Sequence, residues 1–169
     1  MSQKQKQKLS IRNAEKSDIP ELLILSKKVY KDFPPYKKAH LTGHINRFYE
    51  GQFVAEYEGK LIGYCASIRI MGEKALAAHT WQSITGGGYG STHDLSGDYL
   101  YGMEVFVDPD FRGIRVGERF YQSRKKLCTE LKLKGIVFGG RLPSLSKKIK
   151  QVKDPEGYIE AVKKRTIRD

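Results

Sequence analysis

The sequence predicts a mixed α/β domain built on a largely antiparallel central sheet flanked by helices. Three observations lead there. Strand-like alternation occurs at residues 9–14 and 53–57, and again at 61–70, where a Glu58-Gly59 turn closes a hairpin. Runs of helical period stand before the hairpin and after residue 115. A strand–helix–strand unit over 98–140 shares the chain with the hairpin, so the sheet must mix strand directions, with helices on both faces.

Each element has a local reason. Leu9 to Ala14 alternates apolar and polar residues as a short strand does. In "SDIPELLILSKKVYKDF", Ile19, Leu22, Leu23, Leu25, Val29 and Tyr30 form one helical face. Asp18 with Glu21 reads as a capping box, and Pro34-Pro35 ends the helix. A second helix is expected over Lys37 to Tyr49, with Leu41, Ile45 and Phe48 on one side. Residues 71–98 contain "HTWQSITGGGYGSTHDLSGD" and read as a long glycine-rich loop, of the kind that in compact domains is usually functional. Asp98 to Val107 is apolar on both faces, as a central strand is. A helix follows over about Val116 to Lys132, with Val116, Phe120, Leu127 and Leu131 on one face. "GIVFGG" reads as a short strand, and one more helix is expected near Glu156 to Arg165.

Composition narrows the class. A chain of 169 residues with 39% hydrophobic content is long enough for one domain with a core, and too apolar for a disordered chain. Residues 1–8 read as a disordered basic tail, and 9–169 as a single domain. No apolar run reaches membrane-spanning length, and "MSQKQKQKLS" lacks the core of a signal peptide; the expectation is a cytoplasmic protein with no membrane partner. Cys65 and Cys128 have no metal-ligand spacing and read as buried thiols. The formal charge of +12 favours anionic partners. It is concentrated in residues 112–134, with eight basic and two acidic residues, and in the basic segment 141–169, with nine and four.

The chemistry is expected at "DPDFRGIRVGERFY". The first-turn N–H groups of a helix have no internal partners and point outward, and with the helix dipole they attract an anion. Glycines let a phosphate approach the backbone, and Arg112 and Arg115 add charge. Neither the P-loop pattern nor the dinucleotide pattern Gly-x-Gly-x-x-Gly is present.

"VFVDPDFRGIRVGERFYQSRK" resembles the acyl-CoA-binding motif of the GNAT N-acetyltransferases. Arg112 matches its first position and Gly117 its last, while Arg115 stands where that family usually has a glycine. The resemblance covers about residues 9–140. "HTWQSITGGGYGSTHD", "YLYGMEVFVDPDFRG" and "GGRLP" look more narrowly like the N-terminal acetyltransferase-like domain of bacterial proteins that fuse it to a carbon–nitrogen hydrolase. The resemblance implies a GNAT-like fold and acetyl-CoA, or another acyl-CoA, as co-substrate, with no metal. It places the pyrophosphate on Arg112, Gly113, Ile114, Arg115, Val116 and Gly117, and the pantetheine arm along Val105, Phe106 and Val107. It implies acetyl transfer to an amine of unidentified identity.

Glu104 is the candidate base: one carboxylate in an apolar strand, beside the implied thioester. Pairing with a nearby Arg or Lys is its other reading. His79 and His93 flank the glycine-rich loop as weaker candidates, or as loop residues without a role; no third ligand stands at a metal-binding spacing. Trp81 and Tyr89 either wall an acceptor pocket or pin the loop to the sheet. The family's closing helix and strands, with their leaving-group tyrosine, have no match: in "DPEGYIEAVKKRTIRD" the spacing around Tyr158 is wrong. The C-terminal strands are therefore expected to be missing, the segment truncated, and an exposed sheet edge open to a homodimer or a C-terminal partner domain. Two other functions stay open, a non-catalytic CoA-binding regulatory domain and a basic nucleic-acid-binding module. The second lacks any RNA- or DNA-binding signature.

Overall fold

Residues 61–68 are all buried, and the sheet is organised around them. In the computed structural model, which describes residues 9–31, 33–140, 144–152 and 154–166, five strands lie in sequence order. They are β1 (Leu9–Asn13), β2 (Gln52–Tyr57), β3 (Lys60–Ile70), β4 (Tyr99–Val107) and β5 (Gly135–Phe138). The first four pair antiparallel, and β5 joins β4 in parallel. The mixed, largely antiparallel sheet is thus the one the sequence predicts. The expected basic tail, residues 1–8, lies outside the described residues.

Strand alternation splits the core into two layers. Val54, Tyr64, Ile68, Tyr101 and Phe106 point to one face, where Ile19, Leu22 and Leu25 of α1 (Ile19–Val29) and Leu41 and Ile45 of α2 (Lys38–Arg47) cover them. Phe53, Ala55, Ile62, Cys65 and Leu100 point to the other, under Val116, Phe120 and Leu127 of α5 (Val116–Glu130).

The start of α1 differs from the sequence reading. Asp18 ends a short 3-10 turn, and its carboxylate serves residues before the helix. It accepts the Glu15 N–H at 2.8 Å and the two terminal nitrogens of Arg12 at 2.7 and 2.9 Å. The capping box is therefore Glu15/Asp18, one turn earlier than Asp18/Glu21. Glu21 instead accepts the Leu61 N–H at 3.0 Å and ties α1 to β3.

Residues 71–98 are more ordered than a loop. They hold two one-turn helices, α3 (Gly72–Leu76) and α4 (Trp81–Thr85). The Thr80 hydroxyl caps α4 by accepting the Ser83 N–H at 3.1 Å. Gly86, Gly87, Gly88 and Gly90 then take four left-handed conformations, which is why the run is glycine. His44 fastens this turn from beneath. It is 1% exposed, its Nε2 donates to the Gly88 carbonyl at 2.7 Å, and its Nδ1 lies 3.0 Å from the Tyr64 hydroxyl. A carbonyl can only accept, so Nε2 carries the proton and neutral Nδ1 accepts from Tyr64, in competition with Gln52 Oε1 at 3.1 Å.

The chain divides into two compact units, one ending at Phe138 and the other beginning at Gly139. The second holds α6 (Leu145–Lys148) and α7 (Pro155–Lys163), where Asp154 caps α7 by accepting the Gly157 N–H at 2.8 Å. Among the described residues no strand follows β5. No helix is long and apolar enough to cross a membrane among these residues.

Burial pushes His44 down to about 4, ahead of the opposing Gly88 hydrogen bond. A depressed imidazole binds its proton more weakly folded than unfolded, so stability is full above about pH 6.5 and falls as pH drops toward 4. His40 and His93, both lowered by burial, act with the same sign. Denaturant unfolding between pH 7 and 4.5 should show a loss of up to about 3 kcal/mol. The slope should be shallower in His44→Gln.

Candidate functional site

The site is built where β4 parts from β5. Their pairing runs from Tyr99↔Gly135 to Gly102↔Phe138 and stops there, while β4 continues to Val107. A bulge marks the same place. Ala66 faces Glu104 and Ser67 faces Gly102, so Met103 is the extra residue of β4. Beyond the bulge β4 stays paired to β3 on one side and is open on the other. The Asp108 N–H donates to the Ile62 carbonyl at 2.8 Å, so strand alternation turns the peptide groups of Phe106 toward β3 and those of Val105 and Val107 to the open side. Of the three residues expected along the pantetheine arm, two therefore offer backbone groups to a ligand and Phe106 does not.

The strand runs directly into the turn at which the sequence places a phosphate. Asp108 is 1% exposed and caps a 3-10 turn over Pro109–Phe111 by accepting the Asp110 N–H at 3.0 Å. Lys28 of α1 reaches the same carboxylate at 2.6 Å. Burial alone would raise the Asp108 carboxyl; the Lys28 ammonium, the Asp110 amide and the nearby Lys60 charge outweigh it and hold it below the usual range. The turn is thereby anchored to the helix layer.

Gly113 has φ 90° and Arg115 has φ 65° and ψ 27°. Arg115 thus occupies the left-handed conformation that glycine adopts freely, at a cost of about 1 kcal/mol for a residue with a Cβ. Its guanidinium folds back onto Glu118 at 2.8 Å. The expected phosphate-facing cation is thus an ion pair on the first turn of α5. The first bond of α5 is from the Arg119 N–H to the Arg115 carbonyl at 3.2 Å. The N–H groups of Val116, Gly117 and Glu118 precede it and have no partner inside the helix. A Cβ added at Gly117 would meet nothing within 4 Å, so the side-chain direction at this residue is unobstructed. Ile114 is 41% exposed beside them, and Val116 turns into the core. This cradle fits an anion of phosphate size, with Arg112 preceding Gly113.

The bulge gathers the candidate chemistry. Glu104 is half-buried; its Oε2 accepts the Tyr36 hydroxyl at 3.3 Å and its Oε1 accepts the Val105 N–H at 3.0 Å. No ion pair to Glu104 occurs within 4.0 Å among the described residues. Trp81 donates its indole N–H to the carbonyl of the bulged Met103 at 3.0 Å and packs over Gly88. Tyr89 lies on the same turn, its ring 4.2 Å from that of His40. The His79 ring bridges the Ala77 carbonyl at 2.7 Å and the Tyr101 hydroxyl at 3.1 Å. His93 accepts the Arg69 N–H at 3.0 Å and stacks on Phe48 at 4.6 Å, so its ring is engaged with β3. Among the described residues no group of three or more His, Cys, Asp or Glu could hold a metal.

Two site residues have no place in the sequence reading. Tyr36 holds Glu104 across the sheet from the segment after α1. Arg124 lies on the apolar stripe Val116–Phe120–Leu127 of α5, and that position was its signal: a charge in a buried row needs partners.

The family model for the acetyltransferase (GNAT) family matches residues 17–141. The chain belongs to this family. It is therefore an acyltransferase domain by membership. Among curated relatives it is 41% identical over 162 residues to the probable hydrolase YhcX of Bacillus subtilis, covering 96% of this chain and 31% of that protein. It thus spans about a third of that relative's length. It is 28% identical to the uncharacterized N-acetyltransferase YkwB of the same organism, over 91% of this chain and 70% of the relative. Among solved structures it is similar in fold to the GphF GNAT-like decarboxylase in complex with isobutyryl-CoA, with a TM-score of 0.73 and 22% identity over 89% of this chain and 75% of that one. The loading GNATL domain of CurA from Lyngbya majuscula gives 0.62 and 20%, over 73% and 59%.

The left-handed Arg115 makes a stability prediction. Arg115→Gly and Arg115→Ala both lose the ion pair to Glu118, and only glycine relieves the backbone. Chemical denaturation should place the glycine variant above the alanine variant by about 1 kcal/mol.

Proposed function

We propose that this chain transfers an acetyl group, or another small acyl group, from acyl-CoA to a primary amine. One observation carries the reading. An open strand edge, Val105 and Val107, runs into a helix N-terminus whose first amides precede the first intrahelical bond, with Gly117 unobstructed beside them. An extended amide-bearing arm fits the first and a pyrophosphate the second. CoA joins those two chemistries in one molecule. The pyrophosphate would lie on the amides of Val116, Gly117 and Glu118, with Arg112 and the Arg115–Glu118 pair at its rim. The pantetheine amides would pair with Val105 and Val107, which directs the thioester toward the bulge at Met103 and Glu104.

The protein's own groups then supply the rest. The Glu104 carboxylate accepts the Val105 N–H, so a pantetheine amide or thioester carbonyl arriving there displaces Glu104. The freed carboxylate, still held by Tyr36, accepts the proton that an amine must lose, directly or through water. Trp81 fixes the bulge carbonyl and, with Tyr89, borders the acceptor side. His79 and His93 serve the segment's structure in this account. Within a longer protein the domain would stand beside a hydrolase, as the name of the B. subtilis relative suggests.

Calorimetry with acetyl-CoA, CoA, ATP and a DNA duplex separates the readings. Acetyl-CoA and CoA should bind, and Gly117→Trp, which places a bulky side chain beside the amides, should weaken them at least tenfold. Binding of duplex alone, falling steeply with salt, would replace this reading with a nucleic-acid module. With an amine panel and thiol detection, Glu104→Gln should lower kcat at least tenfold. CoA binding without thiol release for any amine would favour a regulatory domain.

A further inference from the structure

Arg124 is the largest fully buried side chain, at 1% exposure, and it reaches the point where β4 leaves β5. Its Nε donates to the Ser67 hydroxyl at 3.0 Å, and one Nη donates to the Ala66 and Glu104 carbonyls, both at 2.8 Å. Those three partners are neutral and flank the bulge. The guanidinium lies against Gly102, where a Cβ would stand 2.9 Å from its carbon and from its other Nη, so a larger residue there would displace it. The Tyr121 ring covers it at 5.7 Å. Among the described residues no carboxylate lies within 4.0 Å of Arg124, and Glu104 turns its own carboxylate to Tyr36 and Val105.

A buried charge usually carries a partner charge, because leaving water is otherwise expensive. Here the second Nη, beside Gly102, shows no hydrogen bond among the described residues. Three elements hold the group in place: β3 through Ala66 and Ser67, β4 through Glu104, and α5 itself. It is a fixed cation at the apex of the splayed strands, with neutral ligands and one donor left over.

We infer that Arg124 is the electrostatic partner of the CoA sulfur, holding the leaving thiolate by its charge. The inference rests on the proposed CoA reading, in which the arm runs from the phosphate turn back along β4. Val107 to Gly102 is five residues, or roughly 16 Å of strand, which ends the arm at the bulge. In the transfer step the amine nitrogen adds to the thioester carbon. The C–S bond breaks with its electron pair staying on sulfur, and the amine's proton leaves through Glu104 or water. Arg124 acts in this step through its charge and gives up no proton. Its positive charge favours the thiolate over the thiol and over the uncharged thioester, so it acts more strongly on the product side of the step.

Binding of CoA and of desulfo-CoA, which ends in a methyl group where CoA has its thiol, tests this without an acceptor. A thiol of ordinary pKa near 8.5, lowered one unit on binding, tightens CoA about tenfold as pH rises from 6.5 to 9.5. Desulfo-CoA cannot ionise there and reports every other pH effect. The preference for CoA over desulfo-CoA should rise about tenfold in the wild type and in Arg124→Lys, and stay flat in Arg124→Met. Should Arg124→Met fail to fold, Arg124→Gln keeps an amide donor for the bulge carbonyls without the charge and should be equally flat. A preference that does not change with pH in the wild type, or that rises equally in the uncharged variants, overturns the role of Arg124 while leaving CoA as the ligand. Failure of both ligands to bind overturns the CoA reading itself and this inference with it.

Discussion

The end of the β4–β5 pairing, at the same point as a bulge in β4, is the constraint on which the rest of the site depends. β5 is four residues long and all four pair with Tyr99 to Gly102, so β4 has no partner on that side from Met103 onward. With Met103 inserted, the ladder to β3 shifts register between Ala66 and Ser67, and the parallel ladder to β5 stops at Gly102. What lies beyond is five residues of strand held on one side only. Such an interruption leaves backbone groups without strand partners, and the surroundings meet them. Arg124 takes the Glu104 carbonyl, Trp81 takes the Met103 carbonyl, and the Glu104 carboxylate takes the Val105 amide. A buried cation from one helix and an indole from the glycine-rich segment converge on the same two residues from opposite faces of the sheet.

The left-handed turn at Arg115 extends the same arrangement. Between β4 and α5 the chain reverses direction. Gly113 and Arg115 make that reversal, and Asp108 anchors it to Lys28 of α1. The arginine pays the backbone strain that a glycine would avoid, and its side chain is spent on Glu118. Anion attraction at this end thus comes chiefly from the amides and the helix dipole, with Arg115 as one half of an exposed pair of modest worth.

Much of this was legible in the sequence because it is periodic. Alternation over 53–57 and 61–70, the helical stripe of Val116, Phe120 and Leu127, and the Glu58-Gly59 turn specify the sheet and its layers. The turn from β4 into α5 was legible for a different reason, since a glycine, an arginine and a helix start stand in one short run. The order within 71–98 was hidden, because α3 and α4 are single turns without a period, held by Thr80, by Asp98 accepting the Gly72 N–H, and by His44 from a distant helix. The register shift at Met103 leaves no mark on composition, since every residue from 99 to 103 fits a strand. Asp18 was misplaced by one turn because its real partner, Arg12, lies on the preceding strand and outranks a local capping bond. Arg124 and Tyr36 were missed because their roles depend on carbonyls and a carboxylate far along the chain.

The central claim is that one ligand engages both the β4 edge and the start of α5. Backbone amide NMR of the chain titrated with acetyl-CoA tests it directly. The account predicts saturable shifts at the amides of Val105, Val107, Val116, Gly117 and Glu118, moving together with a single affinity. Shifts confined to the basic residues of 125–134 and 147–165, with β4 unchanged, would contradict it.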